Sequence, residues 1–327
     1  MKILVTGGGG YVGSLLVPKL LELNYKIIVI DTFWYGDFLK KNKNLKKIKK
    51  NILNLKTDDL KGVNGVIHLA GIANDTSSNL IPKLTWEVTC LGTKILCDVS
   101  KKNNIKFFLY ASSSSVYGVK KEQKVHEELN CKPISDYNKT KLVTEKIIQS
   151  YENYFKVFLI RPATLYGESP KMRLDLTFNI LTQQAATKKT ITVNGGGQYR
   201  PYLHVNDMVD LYIFFVKKYK SIESGPYNAS SGNMKVIDKA KLISKFDDKI
   251  KIKIKKILDI RSYRIDSTKL KKIGFYPKEK LNDALLRMYN LFKEKKIKDK
   301  PQFYSIYWIK KMGLTKSIKE SNNKKSF

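Results

Sequence analysis

Ser113, Tyr137 and Lys141 are the residues of this 327-residue chain whose types and spacing could do chemistry together. The serine lies in Ala111-Ser-Ser-Ser-Ser-Val-Tyr-Gly118, and Tyr137-Asn-Lys-Thr-Lys141 begins 24 residues after it. A tyrosine, a lysine four residues beyond it and a serine hydroxyl on the reacting oxygen make a proton relay suited to sugar or alcohol hydroxyls. A phenol with a pKa of about 10 is a poor base at neutral pH. A nearby ammonium and the positive ring of a nicotinamide both favour the phenolate. Beside a nicotinamide, such a relay belongs to an oxidoreductase, or to an epimerase that oxidises its substrate transiently.

Tyr-x-x-x-Lys by itself selects little here, because five of the 19 tyrosines have lysine at the fourth following position: Tyr117, Tyr137, Tyr276, Tyr289 and Tyr307. Context selects Tyr137. It opens a helix predicted over Ser135–Tyr151, which puts Lys141 one turn later on the same face. Ser113 falls at the carboxyl end of a predicted strand, where ligand sites of parallel sheets lie.

The partner motif is Thr6-Gly-Gly-Gly-Gly-Tyr-Val-Gly13. It fits GxGxxG through Gly8, Gly10 and Gly13, and GxxGxxG through Gly7, Gly10 and Gly13. In either template glycine permits the tight strand-to-helix turn and close approach of the backbone to a pyrophosphate. The helix opened by Tyr11, Val12 and Gly13 then offers N–H groups and a positive dipole end to phosphates. Asp31 stands 18 residues past Gly13 at the end of the next strand. A carboxylate there accepts from the adenosine ribose hydroxyls and repels a 2′-phosphate, so the expected cofactor is NAD rather than NADP.

The elements that must position these groups alternate regularly. Strands are predicted at Lys2–Val5, Lys26–Ile30, near Ile48–Ile52, Gly65–Leu69, Lys106–Ala111 and Lys156–Ile160. Helices are predicted at Tyr11–Leu23, with a kink expected at Pro18, and at Trp86–Lys101 and Ser135–Tyr151. This is an α/β pattern: a Rossmann-type doubly wound parallel sheet followed by a smaller mixed α/β domain. The expected division is a dinucleotide-binding domain over 1–165, with a segment around 198–215 returning to it, a substrate-binding domain over 166–298, and a basic polar tail over 299–327, frayed or lying on the surface.

The net charge of +33 invites a nucleic-acid reading, but only six of the 62 basic residues are arginine. Lysine runs such as KKNKNLKKIKK at 40–50 lack the guanidinium fork that reads bases and phosphates, so no specific nucleic-acid partner is expected. No apolar run approaches 18 residues, so no membrane insertion is expected. Cys90, Cys97 and Cys131 have neither disulfide-framework nor zinc spacing, which fits a reducing cytoplasm and no metal.

In their order and spacing these motifs resemble the extended short-chain dehydrogenase/reductase family, specifically its NAD-dependent nucleotide-sugar epimerase/dehydratase group. The resemblance covers roughly residues 1–295. It rests on the glycine loop, Asp31, His68-Leu-Ala-Gly71, the serine run, Tyr137-x-x-x-Lys141, Arg161-Pro, and Arg200 followed by His204-Val-x-x-Asp207. It implies that Leu69, Ala70 and Gly71 line the NAD diphosphate and ribose, that Asn51 and Ile52 lie at the adenine, and that the active site lies between the two domains. A nucleoside diphosphate-sugar is the implied substrate, and a homodimer is common in the family. Arg173, Arg200 and Arg261 are candidates for the substrate diphosphate, because guanidinium forks bind phosphate oxygens. His204 and Asp207 read as structural hydrogen-bonding residues.

Sugar 4,6-dehydratases of this group carry an Asp-Glu pair between the positions of Ser113 and Tyr117. This chain has Ser114 and Ser115, which cannot protonate a leaving hydroxyl, and in this it looks like the 4-epimerases. It departs from the family at Asn51, where Asp is usual, and at Thr89 and Thr164, where Asn is usual; Thr164 is a candidate substrate contact with Ser114 and Ser115. The leading expectation is a UDP-hexose type 4-epimerase. The alternatives are a 4-keto-sugar reductase, which would consume reduced cofactor, and a non-catalytic dinucleotide sensor, which has no need of the three catalytic residues together.

Overall fold

The computed structural model describes residues 1–256 and 262–315. They form two compact units: the first is built from residues 1–110, 133–157 and the segment from Lys300 on, the second from residues 111–132 and 158–299.

In the first unit, short apolar stretches become the parallel strands β1 (Lys2–Thr6), β2 (Lys26–Asp31), β3 (Leu45–Lys49), β4 (Gly65–His68) and β5 (Phe107–Ala111). Their order is β3-β2-β1-β4-β5, the doubly wound order of dinucleotide-binding folds. Strands covered on both faces need no polar alternation, and Ile3, Leu4, Val5, Val29, Ile30, Val66 and Ile67 are all fully buried. Each such side chain contributes about 1.5–3 kcal/mol relative to exposure. Thr6 of β1 is in register with Ile30 on one side and His68 on the other. The strand order reverses at β1, so the carboxyl ends of β1, β2 and β4 meet at the point where ligands bind in such sheets.

The intervening helices are α1 (Gly13–Glu22), α2 (Asp75–Leu80), α3 (Pro82–Trp86), α4 (Gly92–Lys102) and α5 (Asp136–Gln149). The helix α1 runs through Pro18 to Glu22. The helix expected over Trp86–Lys101 is α4 preceded by a π-helical turn, Glu87–Leu91, a rare form often found at functional sites. The third strand lies earlier than the sequence pattern suggests, and Ile52 instead opens a short 3₁₀ turn capped by Asn51. The reason is that β3 is a lysine-rich edge strand (LKKIK), and edges are blunted by charge rather than marked by apolar alternation.

The second unit contains, in chain order, β6 (Lys156–Pro162), β7 (Thr164–Tyr166), α6 (Thr177–Lys188), β8 (Thr190–Asn194), β9 (Tyr199–His204), α7 (Val205–Lys218), β10 (Gly225–Ala229), β11 (Gly232–Lys235), α8 (Val236–Ser244), β12 (Lys251–Lys255), α9 (Thr268–Lys272) and α10 (Leu281–Lys293). Strands β6 and β10 pair in parallel, β9 lies between β7 and β11, and β8 pairs with β12. His204 caps α7, and the Asp207 carboxylate accepts from the N–H groups of Lys278 and Glu279, so both are structural.

The segment after Asp299 does not fray at once. Helix α11 (Ser305–Lys311) packs on α2 in the first unit, with Ile309 fully buried against Ile72 and Ile81. Trp308 Nε1 donates to the Trp34 carbonyl at 2.6 Å. We expect Ile309→Ala to cost about 2–5 kcal/mol in chemical denaturation, as truncation of a fully buried aliphatic does; an unchanged midpoint would mean that α11 is not part of this core. Among the described residues no helix is long and apolar enough to cross a membrane.

Candidate functional site

Both overlapping glycine templates have a steric reason in the loop. Gly7 has φ +72°, and a Cβ there would lie 2.6 Å from Ala70 N and 2.8 Å from the Leu69 carbonyl carbon, which only glycine avoids. Gly10 N donates to Gly7 O at 3.1 Å, closing the turn, and a Cβ on Gly13 would strike the Gly8 backbone at 2.5 Å. Gly7, Gly10 and Gly13 therefore shape the loop, and Gly8 is needed as well, since a Cβ there would lie 2.8 Å from a methyl of the buried Val29. Among the described residues no side chain caps α1, so the N–H groups at the Tyr11–Val12–Gly13 opening suit a phosphate.

Asp31 ends β2. Its carboxylate accepts from Gly9 N at 2.9 Å and from Phe33 N at 2.7 Å, tying the glycine loop to the following turn. Burial lifts its pKa above the ordinary value, against those two bonds, which lower it. Phe33, in a left-handed conformation with its ring on Gly9, was not marked by the sequence; a bulky residue at positive φ leaves no trace in composition. The closed cradle, uncapped helix and carboxylate fit the diphosphate and ribose of NAD. We expect Asp31→Ala to weaken NAD binding at least about tenfold in calorimetric titration; unchanged affinity would remove Asp31 from the cofactor site.

The His68-Leu-Ala-Gly71 segment is held from beneath. His68 is fully buried, hydrogen-bonded to the Thr6 hydroxyl at 2.6 Å and to the Thr93 hydroxyl at 2.8 Å, and stacked on Tyr110. Burial, assisted by the Lys141 charge, pushes its pKa down to about 3, so it is a neutral strut. It fixes the end of β4, from which Leu69 N donates to Thr6 O and Ala70 N approaches the Thr6 hydroxyl. Asn51 caps its 3₁₀ turn by accepting from Leu53 N, and Ile52 packs on Gly92 of α4.

Tyr137 and Lys141 lie in the first half of α5, which starts at the Ser135 cap; the Ser135 hydroxyl also donates to Asp75 of α2. The Lys141 ammonium is buried, 4.8 Å from the Tyr110 ring centroid and 5.9 Å from that of Tyr137. A Cβ built on Gly71 would lie 3.9 Å from its Nζ and 3.8 Å from the Thr89 hydroxyl of the π-helical turn. The glycine thus leaves open the space over Lys141. Burial pulls the Lys141 pKa down to about 8, while Glu145 and Cys90 push the other way. The first unit therefore brings Tyr137, Lys141, Gly71 and Thr89 together.

In the second unit Ser113 caps a 3₁₀ turn over Ser114–Tyr117. Its hydroxyl bonds Ser115 Oγ at 2.7 Å, and Ser114 is buried. Below them Arg161 donates to the Tyr117 hydroxyl at 2.8 Å, and that hydroxyl donates to Asn228. Asn228 N in turn donates to the Glu127 carboxylate, whose pKa burial raises. This network fixes the serine turn and gives Arg161 a supporting part. Thr164 starts β7 opposite Tyr202 of β9. Arg173 makes a two-point pair with Asp175, and Arg200 lies on β9 with its guanidinium on Tyr199 O. Arg261 lies outside the described residues.

Comparison with known proteins matches residues 3–230 to the model of the NAD dependent epimerase/dehydratase family. The chain is 34% identical over 227 residues to a Bacillus subtilis protein described as an uncharacterized UDP-glucose epimerase, YtcB, covering 64% of this chain and 70% of that one. It is 28% identical over 282 residues to the UDP-glucose 4-epimerase of the same organism, covering 76% and 83%. Among solved structures, a UDP-glucuronic acid 4-epimerase from Bacillus cereus, in complex with UDP-glucuronic acid and NAD, superposes with a TM-score of 0.81 at 26% identity over 90% of this chain and 99% of that chain.

Proposed function

This chain belongs to the NAD dependent epimerase/dehydratase family, and on that premise we propose that it is a nucleotide-sugar 4-epimerase of the UDP-hexose type. The observation that carries the choice is the serine turn. Ser114 and Ser115 put hydroxyls where a dehydratase needs carboxylic acids, so the turn holds no carboxylic acid to protonate a leaving hydroxyl. The similarity to named UDP-glucose 4-epimerases supports the same reading.

The chemistry supplied by NAD, when bound, is reversible hydride transfer at the sugar C4. The chain holds it with the Gly7–Gly13 loop, Asp31 and the backbone from Leu69 to Gly71. Tyr137 takes the proton of the C4 hydroxyl and later returns it. Lys141 favours the phenolate and holds the nicotinamide ribose. Ser113 hydrogen-bonds the C4 oxygen as charge shifts on it. Arg200, with Arg173 and Arg261, is a candidate for the substrate's diphosphate, and Thr164, paired with Tyr202 of β9, for a further substrate contact.

The test is incubation of the purified protein with UDP-, GDP-, CDP- and dTDP-sugars, with and without NADPH. The expected result is interconversion of UDP-glucose and UDP-galactose with no net NADH. Stoichiometric consumption of reduced cofactor would make the protein a 4-keto-sugar reductase instead.

A further inference from the structure

Lys239, on α8 of the second unit, is fully buried, and among the described residues its Nζ has no hydrogen-bond partner. The ammonium lies 4.5 Å from the Phe178 ring centroid of α6 and 5.7 Å from that of Tyr202 on β9. Aromatic faces attract a cation but do not replace the hydrogen bonds it loses on leaving water. The charge of Arg200, also on β9, acts on it as well, and together burial and Arg200 pull its pKa down to about 7. Arg200 stands two residues before Tyr202 on β9, on the same face of the strand, so a second cationic side chain lies on the side of Lys239. Lys239 is itself stripped of water and, among the described residues, has no carboxylate acting on it. An apolar side chain would fill the same space at lower cost. The combination becomes favourable when an anion is added.

We infer that Lys239 is a substrate-binding residue, which together with Arg200 forms a two-cation subsite for the diphosphate of the nucleotide sugar. The inference rests on the functional reading above and adds to it a lysine that the sequence gives no reason to single out. The diphosphate is the anion chosen, because Arg200 is already a candidate for it and Tyr202, which flanks Lys239, shares that strand. Binding supplies the missing counter-charge and restores the full ammonium form.

Lys239→Met keeps the length and apolar stem and removes the charge. Affinities for UDP and for inorganic pyrophosphate are to be measured by calorimetry on wild-type and variant full-length protein, alongside the thermal midpoint of each without ligand. The expected result is a Kd for UDP raised about tenfold, as loss of one charge-assisted bond implies, with a midpoint equal to or above that of the wild type. A residue with only a structural part would not lose affinity while the protein keeps or gains stability. Lys239→Gln, which keeps a polar tip without the charge, should lose affinity in the same direction and provides the measurement if the methionine variant does not fold. UDP binding equal in wild type and variants overturns the subsite and leaves the epimerase reading standing. Lys239-dependent binding of pyrophosphate without binding of UDP keeps the subsite and overturns the nucleotide-sugar reading. Failure of the wild type to bind either anion overturns both.

Discussion

Tyr137→Phe is expected to reduce kcat by about 10²–10⁴-fold, the usual contribution of a positioned general acid–base, while leaving NAD affinity within about twofold. The substitution removes one oxygen and keeps the ring that packs near Lys141. The helix start is secured independently, by the Ser135 cap and its bond to Asp75, so the variant should fold as the wild type does. Lys141, buried and held near the Tyr137 ring, is placed to favour the phenolate, and that effect has no object once the hydroxyl is gone. The assay is epimerisation of UDP-galactose under saturating substrate, with NAD content measured on the same preparation. Retained turnover would assign the proton transfer to another residue. Loss of both turnover and NAD would show that the hydroxyl is needed to hold the cofactor, and would overturn its assignment as a group that acts in proton transfer alone.

How much of this could be read from residues alone varied with how local the signal was. Strands β1, β2, β4 and β5 were plain because KILVT, KIIVI, GVIH and FFLYA are apolar runs between turn signals, and the structure keeps them within a residue or two. The edge strand β3 was misplaced because lysine occupies three of its five positions. The glycine loop was legible as a motif, but the reason for Gly7 lies in the approach of Leu69 and Ala70, about 60 residues away in the chain, and that for Gly8 in the packing of Val29. Helix α11 escaped because the four apolar residues from Ile306 to Ile309, followed at once by lysines, are too short a run to display a helical period. The phosphate chemistry of the guanidinium fork points to the arginines and passes over Lys239. Among so many lysines nothing in sequence distinguishes a buried one; burial is a property of the assembled fold. The same limit hid the support of Lys141 by His68, Tyr110 and Thr89, which come from three other elements.

Lys141→Met is expected to abolish turnover and, at pH 7, to make the protein more stable. The amine is buried and its pKa in the folded protein is about 8, below the 10.5 of a free lysine. Between those two values the unfolded chain binds more protons than the folded one, so stability rises with pH across the window from about 8 to about 10.5. Below pH 8 the folded protein bears the full cost of a charged, desolvated ammonium, on the order of 3 kcal/mol for a shift of this size. Methionine fills nearly the same volume and bears none of it. Urea denaturation of both proteins at pH 7 and pH 10 measures the difference: the variant should lead by about 3 kcal/mol at pH 7, and the lead should shrink as the wild-type lysine deprotonates. A variant less stable than the wild type at pH 7 would mean that Glu145, which opposes the shift, already balances the ammonium. The predicted outcome places Lys141 among residues kept against stability. A charge that is costly in the empty protein is one that the phenolate and the nicotinamide ribose can use, and the left-handed Gly71 beside it keeps the way open for them.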